Sequence, residues 1–192
     1  AELVLVVGHC KESQVQSRNQ VTHLSFDPFY ARPLGLDGLS AAGLQAQAYL
    51  ARSGLSESQL AEIVVRARAH AAKNPRRAAL GAVTAAEVQA SPLLADPLRE
   101  LHCHPVSDGA VGLLLASEDR APALCERPVW VTGLGSCMDS FFLGERPLDR
   151  SEALHRAASH AYRRAGISDP VGAFDLLELS DPYAHQQPLW LE

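Results

Sequence analysis

A chain of 192 residues, 47% apolar and 20% charged, carries enough apolar material for a real core and fits one large domain or parts of two. Its formal net charge of −5 argues against a nucleic-acid surface, and no stretch has the uninterrupted apolar length of a membrane span. Four cysteines without short paired spacings suit reduced thiols rather than a disulfide framework, and the start, Ala1-Glu2-Leu3-Val4, shows no export signal, so the expected location is cytoplasmic.

Residues 2–7 are a β-branched run closed by Gly8 and predict a buried strand. A strand this apolar calls for neighbours on both sides. The polypeptide is therefore expected to begin inside a fold and, alone, to leave apolar surface bare. Residues 11–35 read as irregular chain anchored by Phe26, Phe29 and Tyr30. Spacing predicts a helix over 39–52, with Leu44, Ala48 and Ala51 on one side and Gly54 as its stop. Ser56 and Gln59 form a capping box for a second helix. Its inner face is Leu60, Ile63, Val64, Ala67 and Ala71, and Asn74-Pro75 ends it. Thr84 and Glu87 open a short third helix that closes at Ser91-Pro92.

Two strands are expected next, 98–104 and 109–116, joined by a polar turn. The change of character at 120–127 is the best domain boundary. Beyond it, 128–135 predicts a strand running into glycines. Asp149 is the expected cap of a helix with Leu154, Ala157, Ala158, Ala161, Tyr162 and Ala165 on one face and Gly166 at its end. Residues 174–179 predict a further strand, and Tyr183 starts a last helix. Strand, helix, strand implies a parallel pair with a right-handed crossover, so the fold class is α/β.

The turn Ser107-Asp108-Gly109-Ala110, feeding the wholly apolar run 111–115, resembles the closing strand of the N-terminal half in the thiolase superfamily. Within it, the sterol-carrier-protein-like thiolases and their acyltransferase or aldolase relatives look most similar, and the likeness covers the whole chain in order. It implies a partial thiolase-like layered α/β/α fold. Residues 1–120 would be the end of the N-terminal half, with a helical loop domain at about 11–101, and 121–192 the start of the C-terminal half. It also implies that the family's nucleophilic cysteine lies upstream of this segment, and its Gly-His-Pro and Cys-x-Gly motifs downstream.

Glu178-Leu179-Ser180-Asp181-Pro182-Tyr183 stands where many thiolases carry Asn-Glu-Ala-Phe or His-Asp-Cys-Phe. Ser180 thus falls at the family's oxyanion position, though its side chain is shorter than Asn or His. Tyr183 aligns with the family's Phe and is either a packing ring or an acid for carbon–carbon cleavage. His104 is either a satisfied structural histidine or a contact to the pantetheine arm of coenzyme A. In the basic cluster Arg66, Arg68, Lys73, Arg76 and Arg77, the candidates for the nucleotide phosphates are Arg66 and Arg76; the alternative is a solvated helix face.

Cys10 and Cys137 read as small buried hydrophobes rather than nucleophiles. His102-Cys103-His104 is read as structural histidine and thiol, because adjacent strand residues point to opposite faces, and no metal is expected. Gly133 and Gly135 lack the third glycine of a dinucleotide fingerprint. The expected activity is that of part of an acyl-coenzyme A acyltransferase, performing thioester acyl transfer or carbon–carbon cleavage in lipid or steroid metabolism. The alternative is a non-catalytic module that binds lipid, acyl-coenzyme A or a partner protein. No tightly bound cofactor is expected, with the coenzyme A thioester acting as substrate. The resemblance further implies a homodimer and a small zinc-ribbon and OB-fold partner.

Overall fold

Helix ends, where orphaned backbone groups need side-chain partners, frame the computed structural model, which describes residues 2–75 and 80–192. Strand β1 (Leu3–Lys11) leads into α1 (Arg18–Leu24), capped by Ser17, whose side chain accepts from the Gln20 amide. Helix α2 (Gly38–Ser53) starts at a capping box of Asp37 and Ser40 and stops at Gly54, whose φ of 71° suits glycine. Helices α3 (Glu57–Ala71) and α4 (Ala85–Ala90) begin at the expected boxes, Ser56 with Gln59 and Thr84 with Glu87. Strands β2 (Leu93–Ala95) and β3 (Leu98–Arg99) form a small antiparallel pair. Strand β4 (Asp108–Ala116), α5 (Ala121–Leu124), α6 (Glu152–Ala165), α7 (Pro170–Ala173) and α8 (Gln186–Leu191) complete the order. The mixture of helix and strand bears out the α/β class. Among the described residues no helix is long and apolar enough to cross a membrane.

Among the described residues, two small cores hold α2, α3 and α4. One gathers Leu60, Ala61, Val64 and Val88 with Ala184, and the other Ala42, Ala46 and Leu98 with Tyr183 packed against it. On α2 the buried set is Ala42, Gly43, Ala46 and Tyr49, so the stripe of Leu44, Ala48 and Ala51 points elsewhere. This helix carries two apolar stripes at the same spacing, and hydrophobicity alone does not rank them. The inward one is that against which β2 and Leu98 pack.

The strands differ most from expectation. β1 pairs antiparallel with β4 from Leu3↔Ala116 to Lys11↔Asp108, and this two-stranded ribbon is a sheet by itself. Leu5 (65%) and Leu113 (58%) are exposed, as is Val4, so the strand expected to be sandwiched is an outer edge. The apolar surface expected to be bare is bare. The strand expected over 98–104 stops at Arg99, where a 3-10 turn, Glu100–His102, takes over.

Residues 128–135 and 174–179 join no ladder among the described residues, and the parallel crossover does not form there. Apolar side chains supply burial but not the ladder partners that define a strand. Residues 133–135 instead lie on α6 so closely that a Cβ on Gly133 would run into the Ala161 carbonyl oxygen, and one on Gly135 into that of Ala157. The cap of α6 is Ser151, not Asp149, whose carboxylate is drawn into ion pairs with Arg52 (3.3 Å) and Arg150 (3.6 Å). The last helix begins at Gln186 rather than Tyr183, because the backbone around Tyr183 is engaged elsewhere.

Candidate functional site

The backbone at Tyr183 bonds a segment some eighty residues earlier. The His104 amide donates to the Pro182 carbonyl and the Ala184 amide to the His102 carbonyl, both at 2.8 Å, closing an antiparallel bridge between Cys103 and Tyr183. Proline has no amide hydrogen, so residue 182 contributes only its acceptor. Extended residues alternate in direction: Ala184 enters the first core and Tyr183 packs against the second. This latch joins the two segments that the sequence marks as candidates.

His104 is exposed and meets the edge of the Tyr183 ring, 6.2 Å between centroids. Its carbonyl accepts from Arg18 Nη1 at 3.1 Å, and Arg18 also pairs with Glu12. Partial burial, then the Arg18 charge, pushes the His104 imidazole below its usual value. The hydrogen bond from Arg18 holds the Glu12 carboxyl below the ordinary range, and the Ser107 amide adds to it at 3.3 Å. Asp108 accepts the amide (2.9 Å) and hydroxyl (2.6 Å) of Ser13, which lower its pKa in turn. The Ser-Asp-Gly turn is thus pinned by residues 12 and 13 rather than by its own amides.

Tyr183 is half-buried and stacks on His185 at 6.3 Å, with burial raising its hydroxyl. Ser180 lies exposed, its carbonyl accepting the Trp190 indole N–H at 3.0 Å. A cleft of about 190 Å³ on one side of the latch is lined by Arg68, His102, Cys103, His104 and Asp181. On the other side, about 240 Å³ is bounded by Gln45, Asp139, Arg146, Tyr183, Gln186 and Trp190.

The structure therefore brings His104 and Tyr183 into contact, with Ser180 on the same segment. Arg66 is exposed but directs Nη2 to Gln187 Oε1 at 2.6 Å, so its guanidinium ties α3 to α8. Arg76 lies outside the described residues. Cys10 is exposed, not buried, because it belongs to the open ribbon, and Cys137 is half-buried. Cys103 donates to the Arg99 carbonyl at 3.5 Å and burial pushes its thiol up to about 11, which suits packing rather than nucleophilic attack. Among the described residues, no three His, Cys, Asp or Glu side chains converge on a position that would hold a metal ion.

The sequence reads His102 as a structural histidine and gives no signal at His185, and both are buried beside the latch. The His-Cys-His run is visible in the sequence, but nothing there links it to His185.

No family model matches the chain. It is similar to an acetyl-CoA acetyltransferase of Methanothermobacter thermautotrophicus, 28% identical over 184 residues, which are 95% of this chain and 48% of that protein. Among solved structures it resembles an Ltp2-ChsH2(DUF35) aldolase, with a TM-score of 0.70 and 23% identity over 88% of this chain and 45% of the other. It also resembles a monomeric SCP2-thiolase-like protein type 1 from Mycobacterium smegmatis, with a TM-score of 0.66 and 26% identity over 94% of this chain and 40% of the other. The chain spans about half the length of the curated relatives it matches.

Proposed function

We propose that this chain, which has the fold and the sequence likeness of the thiolase superfamily, is the part of an acyl-coenzyme A acyltransferase or carbon–carbon-cleaving enzyme that shapes and orients the thioester site. In this reading residues 1–120 close the N-terminal half, with 11–101 as loop domain, and 121–192 open the C-terminal half. The likeness to an acetyltransferase and to an aldolase supports both chemistries. The observation that carries the reading is the latch, which holds His104 against the Ser180-bearing segment across some eighty residues of chain.

Acyl transfer needs a thiolate, a proton carrier and donors for the oxyanion. Ser180 is the donor candidate, an exposed hydroxyl on a segment whose carbonyl is fixed by Trp190. Tyr183, whose hydroxyl pKa is raised by burial, is the candidate either to pack or to deliver a proton. His104, which lines the cleft, is the candidate contact to the pantetheine arm. The elevated Cys103 thiol favours a nucleophile supplied elsewhere in the assembled protein, and it equally suits the non-catalytic binding module as second reading. A homodimer and a small zinc-ribbon and OB-fold partner belong to the same proposal, the latter supported by the DUF35 protein named in the similar aldolase structure.

Iodoacetamide treatment of the complete protein tests the choice. Inactivation of acyl transfer, with protection by acetyl-coenzyme A, supports the enzyme. Binding of acyl-coenzyme A without any turnover supports the module. Within an active enzyme, Ser180→Ala should lower kcat by about 10²-fold, the scale of one lost oxyanion donor. An unchanged kcat removes Ser180 from the mechanism.

A further inference from the structure

His102 and His185 are buried, at 3% and 0% exposure, and each has one ring nitrogen engaged. His102 Nδ1 receives the Arg99 amide at 3.1 Å, which makes that nitrogen the acceptor and leaves the proton on Nε2. His185 Nε2 meets Gln45 Oε1 at 3.0 Å, and this same oxygen receives Gln186 Nε2 at 3.1 Å. The amide oxygen is an acceptor, so His185 carries its proton on Nε2 and presents a bare Nδ1. Neither His102 Nε2 nor His185 Nδ1 has a protein partner among the described residues. One ring thus offers a donor and the other an acceptor, both are buried, and charge on His102 opposes charge on His185. The two residues flank the latch bonds, His102 through its own carbonyl and His185 next to Ala184.

We propose that His102 and His185 are positioning residues, a neutral buried pair that holds residues 180–184 against 102–104, and that acid opens the latch by charging either ring. Its consequence for acyl transfer rests on the function proposed above; the latch itself does not. The groups facing the pair favour neutrality. Arg99 opposes a positive charge on His102, and Glu57 at the start of α3 is a weaker influence in its favour. From α2 the neutral Gln45 faces His185. From the bridged segments come Cys103 and Tyr183, both raised by burial and uncharged at acid pH, and His104, which Arg18 disfavours as a cation.

Burial lowers both rings, His185 to about 4. A histidine depressed in the folded state stabilises fully above its unfolded value of about 6.5, and that stability is lost as pH falls towards the folded value. The paired carboxylates Glu12, Asp108 and Glu87 are themselves lowered, so their contributions fade only below the ordinary carboxylate range. The interval above that range belongs to histidine.

Trp190, bonded to the Ser180 carbonyl, is a built-in reporter. In the full chain carrying Trp130→Phe, Trp190 is the single tryptophan. Its emission should shift to the red between about pH 6.5 and pH 4.5, while helical circular dichroism persists. His102→Asn keeps an acceptor where Nδ1 was, and His185→Gln keeps a donor where Nε2 was. The double variant should lose the transition. Persistence of the transition in the folded double variant, or its absence from the parent, overturns the proposal. Should the double variant fail to fold, histidine ring titrations of the parent by NMR decide. Both rings titrating well below about 6.5 supports the pair, and either titrating at that value overturns it. Acyl-coenzyme A binding at neutral pH is scored separately, and its failure counts against the proposed function while leaving the latch standing.

Discussion

The helices of residues 18–105 and the β1–β4 ribbon share one chain, but only the helices bury their apolar stripes within it. Leu60 on α3 is fully buried, whereas Leu5 and Leu113 on the ribbon stand open on their sheet faces. A helix satisfies its own backbone and needs one stripe of neighbours, and its caps lie within four residues. A strand satisfies its backbone only through another strand and its side chains only through a covering layer. Apolar side chains therefore build a closed core in one region and stay on an uncovered sheet in the other, although the ribbon is the richer in them.

Substitutions can break or sharpen that contrast. Leu60→Ala should cost about 3 kcal/mol in chemical denaturation, since it leaves a cavity in a closed core. A cost below ~1 kcal/mol would mean that this core is no tighter than the ribbon. Gly135→Ala should cost about 2 kcal/mol, because its Cβ would meet the Ala157 carbonyl and the backbone must move. If stability is unchanged, residues 133–135 do not rest on α6. Ser56→Ala should cost about 1 kcal/mol and fray the start of α3, visible as faster amide exchange there. The smallest effect belongs to Leu5→Thr, below ~0.5 kcal/mol in this chain, because an exposed strand position loses little burial. A large loss at Leu5 would show that another surface covers the ribbon.

Legibility followed the same divide. Ser56 with Gln59, Thr84 with Glu87, and the terminal glycines Gly54 and Gly166 were readable because capping is local chemistry. The inward stripe of α2 was not, because Ala42 and Ala48 look alike until Leu98 is in place. Asp149 and Ser151 are equivalent cap candidates in sequence, because a carboxylate suits that role as well as a hydroxyl does. Arg52, nearly a hundred residues away, decided otherwise. At the candidate site the resemblance pointed to His104, Ser180 and Tyr183, and the structure joins their segments. His185 and its Gln45 partner stayed hidden, since a bond between residues 140 positions apart leaves no periodic trace.

The glycine contact on α6 works as a gauge. The carbonyls of Ala161 and Ala157 stand about 6 Å apart along the helix, a span that two residues of chain can reach, so the notches at Gly133 and Gly135 each meet one of them. Arg164, donating to the Leu134 carbonyl at 2.9 Å, clips the tongue between the notches. A slide of two residues would drive Val131 or Cys137 into helix backbone. The strip is thereby indexed to one position along its rail, even where no ladder fixes it.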